Sequence, residues 1–218
     1  MRYYPVNLDI RGKRCVVVGG GAVAGRKVER LLECGAKVSV VSEKLSPALE
    51  ELKETGAIEH VPSDYDERHL RGAFLVVGAT DRDEVNGRIS ADCRRAGILV
   101  NIVDEPARCD FILPSLVQRG DLQIAVSTAG RSPALAKKLR VELAERYGHA
   151  YGTLAAILGE LRAEVMKSGG TADGRGKVFE ALVNSDLLEA IERGDRERVR
   201  SIIRDLAGLE FDVTRWMK

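Results

Sequence analysis

The sequence predicts an α/β fold: a Rossmann-like domain built on a parallel sheet, then a small β-hairpin and helix forming a dimerisation segment, then a C-terminal helical domain. Three observations carry this prediction. Over residues 1–112 short β-rich runs alternate with helical patterns, the signature of βαβ units. The first of these runs leads directly into a glycine-rich turn, and after Pro114 the alternation stops. The expected boundaries are therefore 1–112, 113–147 and 148–218.

The strands are expected at 14–18, 37–41, 58–61, 74–77 and 98–102. Cys15-Val16-Val17-Val18 and Phe74-Leu75-Val76-Val77 do not alternate with polar residues, as befits strands covered by helices on both faces. Helical stretches at 22–34, 46–55 and 82–96 are each followed by a glycine, Gly35, Gly56 and Gly97, where a C-terminal cap belongs. Beyond Pro114, residues 115–118 and 122–127 read as a hairpin around Arg119-Gly120-Asp121. A helix then runs from Pro133 to about residue 147, with Ser132 as N-cap and the proline at the first helical position. Leu135, Leu139 and Leu143 recur on it at four-residue spacing, which predicts a homodimer through residues 115–146, the alternative being packing within one chain. From His149 onward the pattern is helical, interrupted at Gly169-Gly170, near Asn184-Ser185 and at Gly194-Asp195, with a mobile loop expected over 167–176.

The composition narrows the classes of function. Among 218 residues 34 are Lys or Arg and 33 Asp or Glu, a net charge of +1, so no global field draws the molecule to nucleic acid or to a membrane. The longest apolar run is about six residues against the roughly 20 of a membrane helix, and the N-terminus lacks the apolar region of a signal peptide. A soluble, cytoplasmic protein is expected. Cys15, Cys34, Cys93 and Cys109 match neither a zinc motif nor a disulfide framework, and His60, His69 and His149 are equally scattered. The thiols are expected to be reduced, and no resident metal is expected.

The turn after the first strand contains Gly-x-Gly-x-x-Ala at Gly19, Gly21 and Ala24, and opens a helix at Ala22 and Val23. Gly19 permits the tight turn, Gly21 lets backbone approach a pyrophosphate, and Ala24 lets helix pack on sheet, with phosphate at the helix N-terminus. Its position within a βαβ unit favours dinucleotide binding over a merely structural glycine-rich turn. Cofactor choice belongs at the end of the second strand, where Ser42, Glu43 and Lys44 stand. Glu43 suits the ribose of NAD, Lys44 beside it leaves NADP open, and the alternative for Glu43 is a solvated loop charge. Ala79 and Thr80, with Gly78 and Asp81, follow the fourth strand and are expected near the adenine, Asp81 alternatively as a helix cap. Asp104 follows the fifth strand at the carboxyl edge of the sheet, where open α/β folds hold their ligands. Spacing alone reads it either as a base or as a turn former before Pro106.

Taken in order, these motifs resemble a known family. The run Val18 to Lys27, then Ala79-Thr80-Asp81 with Asn86, then Asn101 to Asp104 with Phe111 to Ser115, then Ser127 to Pro133, is similar to the precorrin-2 dehydrogenases of siroheme biosynthesis. The resemblance implies an NAD-dependent oxidation of the tetrapyrrole precorrin-2 to sirohydrochlorin, with ferrous iron as a further substrate in members that go on to act as ferrochelatases. It implies Asp104 as the catalytic residue and Ser127, Thr128, Gly130, Arg131 and Ser132 as substrate-binding, Thr128 standing where serine is common. For a polycarboxylate substrate, Lys137, Lys138 and Arg140 add cations to a helix N-terminus, the alternative being an ordinary solvated helix face. Cys109, in the loop just past Asp104, could line the site but is expected to have no catalytic role. The rival of different class is a non-catalytic NAD-sensing Rossmann module.

Overall fold

The computed structural model describes residues 2–167 and 171–217. The chain divides into two compact units between Leu113 and Pro114.

The first unit contains β1 (Arg14–Val18), α1 (Ala22–Glu33), β2 (Lys37–Val41), α2 (Pro47–Glu54), β3 (Ile58–Val61), β4 (Leu75–Gly78), α3 (Asp83–Ala96) and β5 (Leu99–Ile102), with single 3₁₀ turns at Glu67–Leu70 and Pro106–Arg108. The strands form one parallel sheet in the order β3-β2-β1-β4-β5. The register aligns Val61, Val41, Val18, Gly78 and Ile102 across the sheet, so the loops that follow all leave from one edge. The chain grows outward from β1 to β3 and then crosses back to β4, which puts the switch in strand order between β1 and β4.

Successive side chains of a strand point to opposite faces, and both faces here are apolar. Cys15 and Val17 of β1 pack with Val28, Leu31 and Leu49 beneath α1 and α2, while Val16 and Val18 pack with Val85, Ile89 and Cys93 beneath α3. The fourth strand lies one residue later than the predicted 74–77. Gly78 extends it because a side chain there would come within 2.6 Å of Ile102 Cδ1, and its absence lets β5 pair alongside. Gly35, Gly56 and Gly97 follow their helices with φ of 73°, 73° and 69°.

The second unit opens with the antiparallel pair β6 (Ser115–Arg119) and β7 (Leu122–Val126), followed by α4 (Pro133–Arg146), α5 (His149–Lys167), α6 (Ala172–Val183), α7 (Leu187–Glu192) and α8 (Arg196–Ala207). Ile157, Leu161, Leu182, Leu187, Val199 and Ile203 form the centre of the helical core. Contacts cross the boundary expected at 147/148. Arg119 of the hairpin donates to the Ala144 carbonyl at 2.9 Å and the Tyr147 carbonyl at 3.1 Å, and a side chain on Gly152 of α5 would lie 2.6 Å from the Arg119 carbonyl oxygen.

The break expected at Gly169-Gly170 lies outside the described residues. The rest of the loop expected over 167–176 is helical from Ala172, because the Thr171 hydroxyl caps α6 by accepting from Gly174 N–H at 3.1 Å and Leu182 anchors the helix in the core. Of the stripe on α4, Leu135 (47% exposed) and Leu139 (37%) face outward and Leu143 is half-buried. Among the described residues no helix is long and apolar enough to cross a membrane, and no three acidic, His or Cys side chains gather as a metal site would require.

Candidate active site

The glycine-rich turn sits at the switch between β1 and β4. Gly19 has φ of 124°, and a side chain on it would overlap the Ala79 carbonyl oxygen at the end of β4. Gly20 is equally constrained: a side chain there would overlap the Lys44 carbonyl and come within 2.5 Å of the Ser42 hydroxyl. The spaced fingerprint singles out Gly19 and Gly21 and misses Gly20, whose only sequence signal is the unbroken run of three glycines. Gly21 is different. It has ordinary extended backbone at φ −82°, and nothing lies within 4 Å of where its side chain would be. The fold does not require glycine there, and the open space is what a close backbone approach to a pyrophosphate requires.

Gly21 is also the N-cap of α1, with no side-chain cap and no acid in the first turn. The N–H groups of Ala22, Val23 and Ala24 therefore have no partner within the helix and, with the positive end of the helix dipole, suit an anion. Ala24 is fully buried against the sheet. An open approach, free donors and no competing acid make this cradle fit the diphosphate of a dinucleotide.

Ser42, Glu43 and Lys44 follow β2 on one side of β1. The Ser42 hydroxyl donates to the Lys44 carbonyl at 2.7 Å, the Ser42 carbonyl lies 2.9 Å from His60 Nε2, and Ser46 N–H donates to the Gly20 carbonyl at 2.7 Å. Ser42 thus shapes the turn under the glycines, while the Glu43 and Lys44 side chains remain exposed. Ala79 and Thr80 follow β4 on the other side of β1. The Thr80 hydroxyl donates to Asn86 Oδ1 at 2.9 Å, and Asn86 Nδ2 donates to the Thr80 carbonyl at 3.1 Å. Asp81 makes no helix cap, since the N-cap of α3 is Arg82 with no side-chain bond.

Asp104 is exposed beyond the end of β5 with φ of 62°, one of two non-glycine residues with positive φ among those described. Such a backbone is disfavoured for a residue with a side chain, and its neighbours must impose it. Val103 N–H donates to the Gly78 carbonyl at 2.9 Å and Glu105 N–H to the Ile102 carbonyl at 3.2 Å. Cys109 braces the same turn: its Sγ lies 3.1 Å from the Ile102 amide, 3.1 Å from the Ile102 carbonyl and 3.2 Å from the Glu105 carbonyl. Burial pushes this thiol above its ordinary pKa, so it acts as a protonated hydrogen-bonding group.

The second unit carries the other candidates in the turn between β7 and α4. Ala129 (φ 53°) and Gly130 (φ 81°) reverse the chain. The Ser127 hydroxyl accepts from Ala129 N–H at 3.1 Å, Thr128 Oγ1 from Ser132 N–H at 3.0 Å, and the Ser132 hydroxyl from Leu135 N–H at 3.3 Å. Each hydroxyl spends a lone pair on the backbone and keeps its proton to donate. Arg131 is exposed, as is Lys137, whereas Lys138 lies 3.7 Å from Glu142. Residues 113–147 hold six basic side chains against three acidic ones.

Comparison with known proteins follows the order of these segments. A family model for NAD(P)-binding matches residues 6–115, one for the sirohaem biosynthesis protein central region matches 119–146, and one for the sirohaem synthase dimerisation region matches 150–206. Siroheme synthase 1 of Aeromonas salmonicida is 40% identical over 197 residues, covering 90% of this chain and 42% of that protein. The siroheme synthase of Nitrosospira multiformis is 40% identical over 205 residues, covering 92% of this chain and 43% of that protein. The chain thus spans less than half the length of these curated relatives. The solved structure described as "SirC, precorrin-2 dehydrogenase" shares the fold, with a TM-score of 0.77 and 24% identity over 95% of this chain and all of that one. With a dinucleotide cradle in its first unit and three consecutive family models along its length, the chain belongs to the NAD(P)-binding sirohaem-biosynthesis family.

Proposed function

We propose that this chain oxidises precorrin-2 to sirohydrochlorin with NAD, as a cytoplasmic homodimer. The observation that carries the reading is Asp104: an exposed carboxylate held in a disfavoured backbone conformation at the sheet edge that also bears the glycine cradle. Strain of this kind concentrates where a side chain has a task.

When bound, NAD supplies the hydride acceptor. The amides of Ala22 and Val23 hold its diphosphate, Gly21 leaves room for it, and Glu43 accepts from the adenosine ribose. Oxidation of the reduced macrocycle sheds a proton along with the hydride, and Asp104 takes that proton at a carboxylate oxygen. Ser127, Thr128, Ser132 and Arg131 supply O–H donors and charge for the carboxylates of the tetrapyrrole, and the excess of basic residues over 113–147 supports that role. Insertion of ferrous iron needs loss of the pyrrole protons, which the same carboxylate serves. We assign substrate recognition to 113–147. The outward Leu135 and Leu139 support dimerisation there, and the name of the family model over 150–206 supports a second dimer surface on the helices.

The test is to mix precorrin-2, NAD and the protein and follow NADH absorbance, then to supply sirohydrochlorin and ferrous iron with and without nucleotide. NADH formation is expected. Tight NAD binding with no turnover would instead make the chain a nucleotide-sensing module.

A further inference from the structure

The loops after β4 and β5 are joined by a buried amide. Asn86, one turn into α3 and only 5% exposed, donates from one Nδ2 group both to the Thr80 carbonyl at 3.1 Å and to Glu105 Oε1 at 3.3 Å. The other Glu105 oxygen pairs with Arg108 at 2.7 Å, and Arg108 pairs in turn with Asp83 at 2.7 Å. The Glu105 carboxylate is thereby fixed from two directions, and Glu105 is the residue next to Asp104.

We infer that Glu105, held by Asn86 and Arg108, is a positioning residue for Asp104. The inference rests on the dehydrogenase reading, in which Asp104 takes the proton. The turn that displays Asp104 is closed by one backbone bond of 3.2 Å, from Glu105 N–H to the Ile102 carbonyl, and contains a positive φ at a residue that pays sterically for it. A free loop would leave that conformation. Anchoring the carboxylate of the following residue on Asn86 and Arg108 restricts the peptide between 104 and 105, beside the Cys109 Sγ contacts to the Ile102 and Glu105 carbonyls. The same amide grips the Thr80 carbonyl, and the preceding residue, Ala79, presents its carbonyl to Gly19. The loop beside the cofactor cradle and the turn carrying the proton acceptor are therefore linked through one amide.

A mutant cycle between Glu105 and Asp104 tests this, reading kcat and KM for precorrin-2 oxidation and Kd for NAD in the full chain. E105A should lower kcat about tenfold or more, since misplacing a reacting group by an ångström is costly, and leave NAD affinity within about twofold. E105Q, which keeps an oxygen for Asn86 but loses the charge toward Arg108, should fall between wild type and E105A. In a D104N background the loss on E105A should shrink to about twofold or less, which a merely structural role would not produce. If E105A does not fold, E105Q carries the same cycle. Wild-type kcat in the Glu105 variants alongside an impaired D104N would overturn this inference and leave the reading of Asp104 intact. A Glu105 effect that repeats in full on D104N would overturn it too. An unimpaired D104N would remove both.

Discussion

The carbonyl oxygen of Lys44 occupies the space that a side chain on Gly20 would need. One residue further on, no other part of the fold lies within 4 Å of where a side chain on Gly21 would start. Adjacent glycines thus differ: the fold requires the first, and the second stands in open space.

Gly20→Ala should consequently destabilise the protein, by about 1–3 kcal/mol, as an overpacked site does. Gly21→Ala, at an ordinary φ and in open space, should cost no more than about 1 kcal/mol, the difference between glycine and alanine as an N-cap. Gly21→Asp should keep the fold and abolish NAD binding, because its carboxylate would stand against the diphosphate. Thermal melts and a cofactor titration of the three variants check this; undiminished NAD affinity in Gly21→Asp would move the cofactor elsewhere.

Asp104→Asn keeps the side-chain size and suits a left-handed backbone as well as aspartate does. Its melting temperature and NAD affinity should match wild type while precorrin-2 oxidation falls at least about tenfold, a conservative figure for loss of a general base. Iron insertion, where it is observed, should fall in parallel. Near-normal rates with tight NAD binding would return Asp104 to the role of turn former before Pro106.

The thiols should react unequally. Burial pushes Cys15 up to about 11 and Cys93 up to about 12, and Cys109 is raised while engaged in three contacts, so all three stay protonated at pH 8. Cys34 at the end of α1 is exposed. A chromogenic thiol reagent at pH 8 should titrate one group rapidly in the native protein and all four after denaturation. Two fast thiols would show that the Cys109 turn opens readily.

Light scattering at micromolar concentration should give twice the 23.8 kDa chain mass. A monomer would refute the dimer. The paired change Leu135→Glu and Leu139→Glu separates the two candidate surfaces: dissociation assigns the contact to α4, and a persisting dimer assigns it to the helices after residue 148.

How much of this was legible beforehand depended on how local each cause was. The strands of the parallel sheet could be read because their apolar runs are short, unalternating and bounded by turn residues, and Ser132-Pro133 could be read as a helix start because capping is decided within four residues. Gly20 was missed because its constraint comes from Lys44, more than twenty residues away. Within the loop expected over 167–176, the part from Ala172 is helical: glycine content weighs against a helix locally, while the Thr171 cap and the burial of Leu182 decide for it. The contacts of Arg119 with Ala144, Tyr147 and Gly152, across the boundary expected at 147, had no local signal because they join residues far apart in sequence.

The sequence by itself determined the βαβ order, the dinucleotide fingerprint and the position of Asp104 at a strand end, since periodicity and turn chemistry are properties of neighbouring residues. Only the tertiary structure decided that Asp104 stands in a left-handed turn, that Cys109 braces that turn, and that Asn86 ties Glu105 to Thr80. Those features arise where separate loops leave one sheet edge side by side, and a hydrogen bond between residues nearly twenty positions apart exists only once parallel pairing has put β4 beside β5.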